Sequence, residues 1–165
     1  MKGEDFVNWL EGLKGGNVWT RARAALRRSL AFEPGTYPPA MPYVERLVHG
    51  DGWAREAHYL VAALYAQKDG AHKPGNSLAR ALRTRAAESQ SVERRLLALL
   101  DADRDQLATR LRHTVALVKE GIDFGRLLDD LIHWFDNRRY VQARWAREFY
   151  AETGKEEKGD TEVTA

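Results

Sequence analysis

The sequence predicts an all-α fold, a single helical bundle of about seven to nine helices with no sheet. Three features of the 165 residues carry that expectation. Apolar positions recur with the helical period of 3.6 along the chain, and the period-2 alternation that marks strands is nearly absent. Ala, Leu, Arg and Glu, which favour helices or lose little on entering one, dominate throughout. A chain of this length can bury roughly two-thirds of its unfolded surface in one core, so no metal or disulfide is needed to hold it together.

The elements follow in order. A first helix fits residues 4–13 and is ended by Gly15-Gly16. A second starts behind Asn17 as N-cap and runs to about Leu30, with Trp19, Ala22, Leu26 and Leu30 on one packing face. Residues 32–42 hold four of the five prolines, Pro34, Pro38, Pro39 and Pro42, and cannot be helical throughout. A brief turn over 43–48 precedes a helix over 53–67 that is apolar almost all round, the mark of a central element. Residues 68–75 read as a loop that could divide the bundle into two subbundles, with Gly70, Pro74 and Gly75 as breakers. Asn76 or Ser77 then caps a helix reaching about Ala87. Further helices are expected over 91–100, 104–119, 123–135 and 138–152. Ser91, Asp103 and Asp123 stand as N-caps, and Gly121 as a glycine closing a helix end. The chain divides into one all-helical domain, 1–152, and a small, charged stretch, 153–165, read as a disordered acidic tail.

Charge is unevenly distributed. Nineteen of the 26 basic residues are arginine. From residue 151 onward five acids stand against two lysines, a net −3, so the formal total of +2 leaves residues 1–150 at +5. Arginine is permanently charged, presents a planar fork of donors that matches phosphate, and stacks on bases. Concentrating positive charge in arginine therefore points to a polyanion.

Other chemistry is weighed and set aside. The absence of cysteine excludes disulfide frameworks, thiolate nucleophiles, zinc ribbons and iron–sulfur ligation. The N-terminus lacks the apolar run of a signal peptide, and the longest apolar stretch, 59–66, is far too short to span a bilayer. The chain is read as soluble and cytoplasmic, with no membrane partner. The acids from Asp101 to Asp105 imitate a calcium loop, but Gln106 and Arg112 stand where it needs glycine and glutamate. Asp123-Phe124-Gly125 spells a kinase triplet without the rest of a kinase. His49, His58, His72, His113 and His133 include no metal-binding pair at helical spacing and are read as solvated or core-edge. Asp129 and Asp130, near His133, point in different directions and read as an exposed acidic face. No catalytic residue, metal or cofactor is expected. The five tryptophans sit mostly at apolar helical positions and are read as core.

What remains is three basic stripes. Arg21, Arg23, Arg27 and Arg28 surround the packing face of the second helix. Arg112 and Lys119 share a line on the 104–119 helix, opposite Leu107, Leu111, Thr114 and Val118 and beside small Ala116. On the last helix Val141, Trp145 and Phe149 face inward, leaving Arg139, Ala143, Arg147 and Tyr150 outward. Small residues between cations admit a backbone closely, and Tyr150 could stack on an unpaired base. With no base-reading motif, binding is expected to be backbone-directed and indifferent to sequence. The competing view is a solvated face, or a helical adaptor whose arginines pair with acidic proteins.

The order of several segments resembles a known family. They are residues 17–30 with Ala24-Ala25-Leu26-Arg27-Arg28, then Ser77-Leu78-Ala79-Arg80-Ala81-Leu82, and Glu93-Arg94-Arg95-Leu96. Ala102-Asp103-Arg104, Leu111-Arg112, the stretch from Leu127 to Trp134, and Trp145-Ala146-Arg147-Glu148-Phe149-Tyr150 complete the set. Together they are similar to the CasB family, the small subunit of the type I-E CRISPR surveillance complex Cascade, over roughly 6–150. An alanine at position 79 in place of an expected glycine, the Pro-rich loop and the acidic tail depart from the pattern. The resemblance implies a non-enzymatic all-helical subunit, present in two copies among other Cascade subunits. It also implies support for guide RNA and target DNA, and for the strand displaced in the R-loop. Arg27, Arg28 and Arg112 are the first candidates for phosphate contacts. Lys119, Arg139 and Arg147 follow from the stripes, and Arg80 and Arg95 from the matched segments.

Overall fold

A computed structural model describes residues 2–150. In chain order its helices are α1 (Lys2–Lys14), α2 (Trp19–Arg28), α3 (Met41–Val44), α4 (Trp53–Gln67), α5 (Leu78–Ala86), α6 (Ser91–Leu100), α7 (Arg104–Leu117) and α8 (Phe124–Ile132). A further helix, α9, covers 140–150. Three short 3-10 turns fill out residues 29–47. Among the described residues there is no strand, only an isolated parallel bridge between His72 and Ile122. The all-α expectation therefore holds. The expected tail and the end of the last helix beyond 150 lie outside the described residues.

The helices group into two compact units. Among the described residues the first comprises 2–77 and 119–135, the second 78–118 and 136–150. The division thus falls at Ser77/Leu78, just beyond the loop of residues 68–75, which belongs to the first unit.

In the first unit α4 packs against both α2 and α8, and α1 lies on α8. Every residue from Ala57 to Ala66 is buried, as an element apolar all round must be. The helix ends in a Schellman motif: Gly70 N–H donates to Tyr65 O at 2.8 Å and Asp69 N–H to Ala66 O at 2.9 Å. Asp69 takes the left-handed position, φ 55°, where glycine is usual, and its carboxylate accepts from Arg23 at 2.7 Å. The Pro-rich segment is a built loop. Arg55 reaches Gly35 O at 3.2 Å and Glu45 at 2.9 Å, while Tyr59 donates a short hydrogen bond to Glu45.

In the second unit α6 packs against α5 and α7, over Leu82, Val92, Leu96, Leu99, Leu107, Leu111, Val115, Val141, Trp145 and Phe149. Two hydrogen bonds set α9 antiparallel to α6. Arg139 Nη2, just before α9, donates to Leu100 O at 2.9 Å, and Tyr150 OH, at its far end, donates to Glu93 at 2.5 Å.

Several expected caps are corrected. Asp103 does cap α7, in a complete capping box with Gln106, and Asp123 caps α8. Asn17 does not cap α2, because Val18 is already in the helical region at the cap position and its carbonyl opens the helix. Ser91 is the first residue of α6 rather than its cap. Of the two expected caps of α5, Asn76 instead donates its amide to Gly121 O at 2.8 Å, while the helix starts at Leu78 and so leaves Ser77 at the cap position. Gly121 ends no helix. A Cβ there would stand 2.6 Å from Ala71 O, so glycine is needed for the close approach beside the His72–Ile122 bridge.

Candidate nucleic-acid interface

In the first unit Ala22 and Leu26 are buried, which turns Arg21, Arg27 and Arg28 outward. Arg23 is half-buried and neutralised by Asp69. Its hydrogen bond, with the charge of Arg27 adding to it, holds the Asp69 carboxyl below the usual carboxylate range. Arg28 lies 5.8 Å from the centre of the Phe32 ring, which stacks on Tyr37 at 5.0 Å and 5°. Lys119 is also exposed in this unit, but it does not continue the line of Arg112. The helix carrying Arg112 stops at Leu117 because Val118 is extended, φ −86° and ψ 127°. The expected Arg112–Lys119 stripe therefore does not form on one helix.

In the second unit Arg80 is exposed on α5, Arg95 on α6, Arg112 on α7 and Arg147 on α9. Leu107, Leu111, Thr114 and Val118 are all buried opposite Arg112, and Val141, Trp145 and Phe149 opposite Arg147. The inward faces expected of both elements are thus present. Arg139 is exposed too, yet it precedes the helix in a left-handed conformation, φ 53°. Its guanidinium holds the last carbonyl of α6, so part of its donor set already serves the fold.

The sequence does not separate arginines that build helix ends from arginines left outward. Arg110 donates to Ala98 O at 2.7 Å and Arg85 to Leu117 O at 3.0 Å, so both satisfy carbonyls that a helix terminus leaves without a partner. Arg55 and Arg138 pair with Glu45 and Asp136, and Arg85 with Glu88. By contrast, Arg27, Arg28, Arg95, Arg112, Lys119, Arg139 and Arg147 form no ion pair among the described residues. Arg94, exposed on the first turn of α6, belongs with them.

The set-aside motifs acquire structural explanations. In Asp123-Phe124-Gly125, Asp123 accepts from Arg126 N and Gly75 N, Phe124 is core, and Gly125 lets the α1 backbone approach. Asp129 and Asp130 do not form the expected exposed face. Asp130 is buried, and Asp129 accepts from Gly3 N–H at 3.0 Å at the start of α1, where a helix favours negative charge. His58 is fully buried, inside the core rather than at its edge, bonded to Ala54 O at 2.6 Å. His72 accepts from Phe124 N–H. Among the described residues no three of His, Asp and Glu converge to hold a metal ion, and no helix is long and apolar enough to cross a membrane. Trp134 and Trp145 are core, and Trp9 and Trp53 donate to Tyr43 O and Leu131 O.

The fold and surface define an all-helical protein whose outward helix faces carry arginines not neutralised by neighbours. The family profile of CRISPR-associated protein Cse2 matches residues 22–150. A CRISPR-associated protein Cse2 from Thermus thermophilus is 61% identical, over 99% of this chain and 98% of its own length. Among solved structures, CasB from Thermus thermophilus superposes with a TM-score of 0.86 at 65% identity, covering 90% of this chain and 97% of that one. M. ruber CasB superposes with a TM-score of 0.79 at 32% identity, covering 96% and 97%. The chain belongs to the CRISPR-associated Cse2 (CasB) family.

Proposed function

We propose that this chain is a non-enzymatic, nucleic-acid-binding subunit of a type I-E Cascade surveillance complex. In that assembly it stands with other Cascade subunits and a second copy of itself. It supports the guide RNA, the target DNA and the strand displaced in the R-loop through contacts to the sugar–phosphate backbone. One observation carries this reading: Arg27 and Arg28 of α2, Arg95 of α6, Arg112 of α7 and Arg147 of α9 sit outward with no ion pair among the described residues. Family membership supports it, as does the permanent charge and bidentate geometry of guanidinium toward phosphate. Sequence-blind contacts suffice for such a role. Base pairing with the guide reads the sequence, and the exchange of duplex for hybrid is nearly balanced, so modest contacts to one strand tip it.

The test is charge reversal at Arg27, Arg28 and Arg112. All three are exposed and bond to no carboxylate among the described residues, so the far-UV circular dichroism spectrum and melting temperature should remain those of the parent. Binding to single-stranded DNA at low salt should fall by well over tenfold. Unaltered binding in a folded variant would remove these residues from the interface.

A further inference from the structure

A cavity of about 680 Å³ opens in the second unit where the end of α9 faces the first turn of α6. Its volume lies within the range of small-molecule sites and admits a base together with its sugar, with room left for water. The walls differ chemically. On one side stands Tyr150, 42% exposed, its hydroxyl anchored on Glu93 at 2.5 Å and its ring met edge-on by Phe149, 5.0 Å away at 87°. An aromatic ring held at its hydroxyl and against a neighbouring ring is a preformed stacking platform that loses little freedom when a second ring lies on it. The phenol stays protonated as a donor, because the Glu93 hydrogen bond pushes its pKa up to about 12. On the other side the hydroxyls of Ser89 and Ser91, 2.9 Å apart, offer donors and acceptors. Arg94 lines the rim with no ion pair among the described residues.

We propose that this cavity seats one unpaired base of a bound single strand, stacked on Tyr150, with the adjoining phosphate directed to Arg94. The proposal rests on the nucleic-acid reading above and adds to it a defined nucleotide subsite. The lining carries one carboxylate, Glu93, and two guanidiniums, Arg83 and Arg94, so what favours a base over a free phosphate or an anionic headgroup is the Tyr150 ring rather than the charge. A base has a π-face and polar edges but no negative charge, and it brings its phosphate only to the rim. Recognition of this kind is tolerant of base identity, as a sequence-blind protein requires.

The experiment compares two oligonucleotides, one of thymidine and one of abasic deoxyribose phosphate, on the full chain and on Tyr150→Ala. Stacking of one base contributes roughly a five- to 150-fold difference in affinity. Tyr150→Ala should weaken thymidine binding by a factor in that range and leave abasic binding unchanged. Tyr150→Phe, which keeps the ring, should lie closer to the parent. Loss of the same factor for both oligonucleotides, or no loss for either, would overturn the subsite while salt-sensitive binding by the parent left the broader reading standing. A parent chain that bound neither oligonucleotide would overturn both.

Discussion

Alanine at two glycines of α1 is expected to shift stability in opposite directions, because one faces solvent and the other a second backbone. At Gly12 a Cβ meets nothing within 4 Å. Gly12→Ala therefore changes only backbone freedom and helix propensity, a gain of about 0.5–1 kcal/mol. At Gly3 the same atom would run into the Gly125 carbonyl, with its carbon at 2.7 Å and Asp129 Oδ1 at 2.9 Å. The obstacle is the backbone of α8, so relief requires α1 to lift off rather than a side chain to rotate. Overpacking of this kind costs about 1–3 kcal/mol. Lifting α1 also stretches the 3.0 Å bond from Gly3 N–H to Asp129, worth about 1 kcal/mol. Gly3→Ala should lose about 2–4 kcal/mol in all, and the two variants should differ by about 2.5–5 kcal/mol. Urea titration followed by far-UV circular dichroism reads this as midpoints displaced to either side of the parent. Gly125→Ala, whose Cβ would meet Gly3 and Glu4 backbone at 3.1 Å, should fall between them. Equal stability of Gly3→Ala and Gly12→Ala would refute the account of how α1 packs on α8.

Other predictions concern Arg139 and Glu45. At Arg139, φ 53°, Arg139→Gly should be more stable than Arg139→Ala by about 1 kcal/mol, since both lose the bond to Leu100 O but only glycine tolerates the left-handed backbone. Denaturant midpoints decide this, and alanine equal to or above glycine would contradict it. The Glu45 carboxyl is held below its ordinary value of 4.5 by the Tyr59 hydrogen bond and by Arg55. A lowered folded-state pKa means its contribution is complete above about 4.5 and is lost as pH falls from there through the folded value. Glu45→Gln should therefore lose less stability than the parent between neutral and strongly acidic pH, and an equal loss would show that Glu45 plays no part in the acid limb.

Long elements were legible in the sequence where one physical signal dominated. The apolar run of α4 left no surface for solvent, and its bounds, Trp53–Gln67, match the expected 53–67. The capping box of α7 is local chemistry, spelled by Asp103 and Gln106 three residues apart. The misplaced features depend on contacts distant in sequence. Gly121 is glycine because Ala71 passes beside it, and Gly3 because Gly125 does, and neither neighbour is visible from the local pattern. The end of α7 at Leu117 likewise separates Lys119 from the helix that a 3.6-residue extrapolation would give it.

The candidate surface was partly legible for the same reason. Helical phase correctly turned Arg21, Arg28, Arg112 and Arg147 away from their buried neighbours, and it put Arg27 at the flank of a packing face where it is also exposed. Phase does not tell which arginines end on a carbonyl or a carboxylate of another element. Arg85 and Arg110 carry the same signal as Arg112 in sequence, yet they are half-buried and bond to Leu117 O and Ala98 O, and Arg85 also pairs with Glu88. The cavity beside Tyr150 arises because α9 runs back along α6 and brings residue 150 to residue 93. Exposed aromatic character at Tyr150 was readable, but its partner was not.

The most direct measurement of the central claim is the affinity of the purified chain for single-stranded oligonucleotides across a salt series. Each phosphate neutralised on a single strand contributes about −0.7 to the slope of log K against log salt. Phosphate contacts at Arg27, Arg28 and Arg112 should therefore give a slope of about −2 or steeper, alike for unrelated base sequences. A slope near zero, or binding confined to one sequence, would contradict the account and favour an adaptor whose arginines meet acidic proteins.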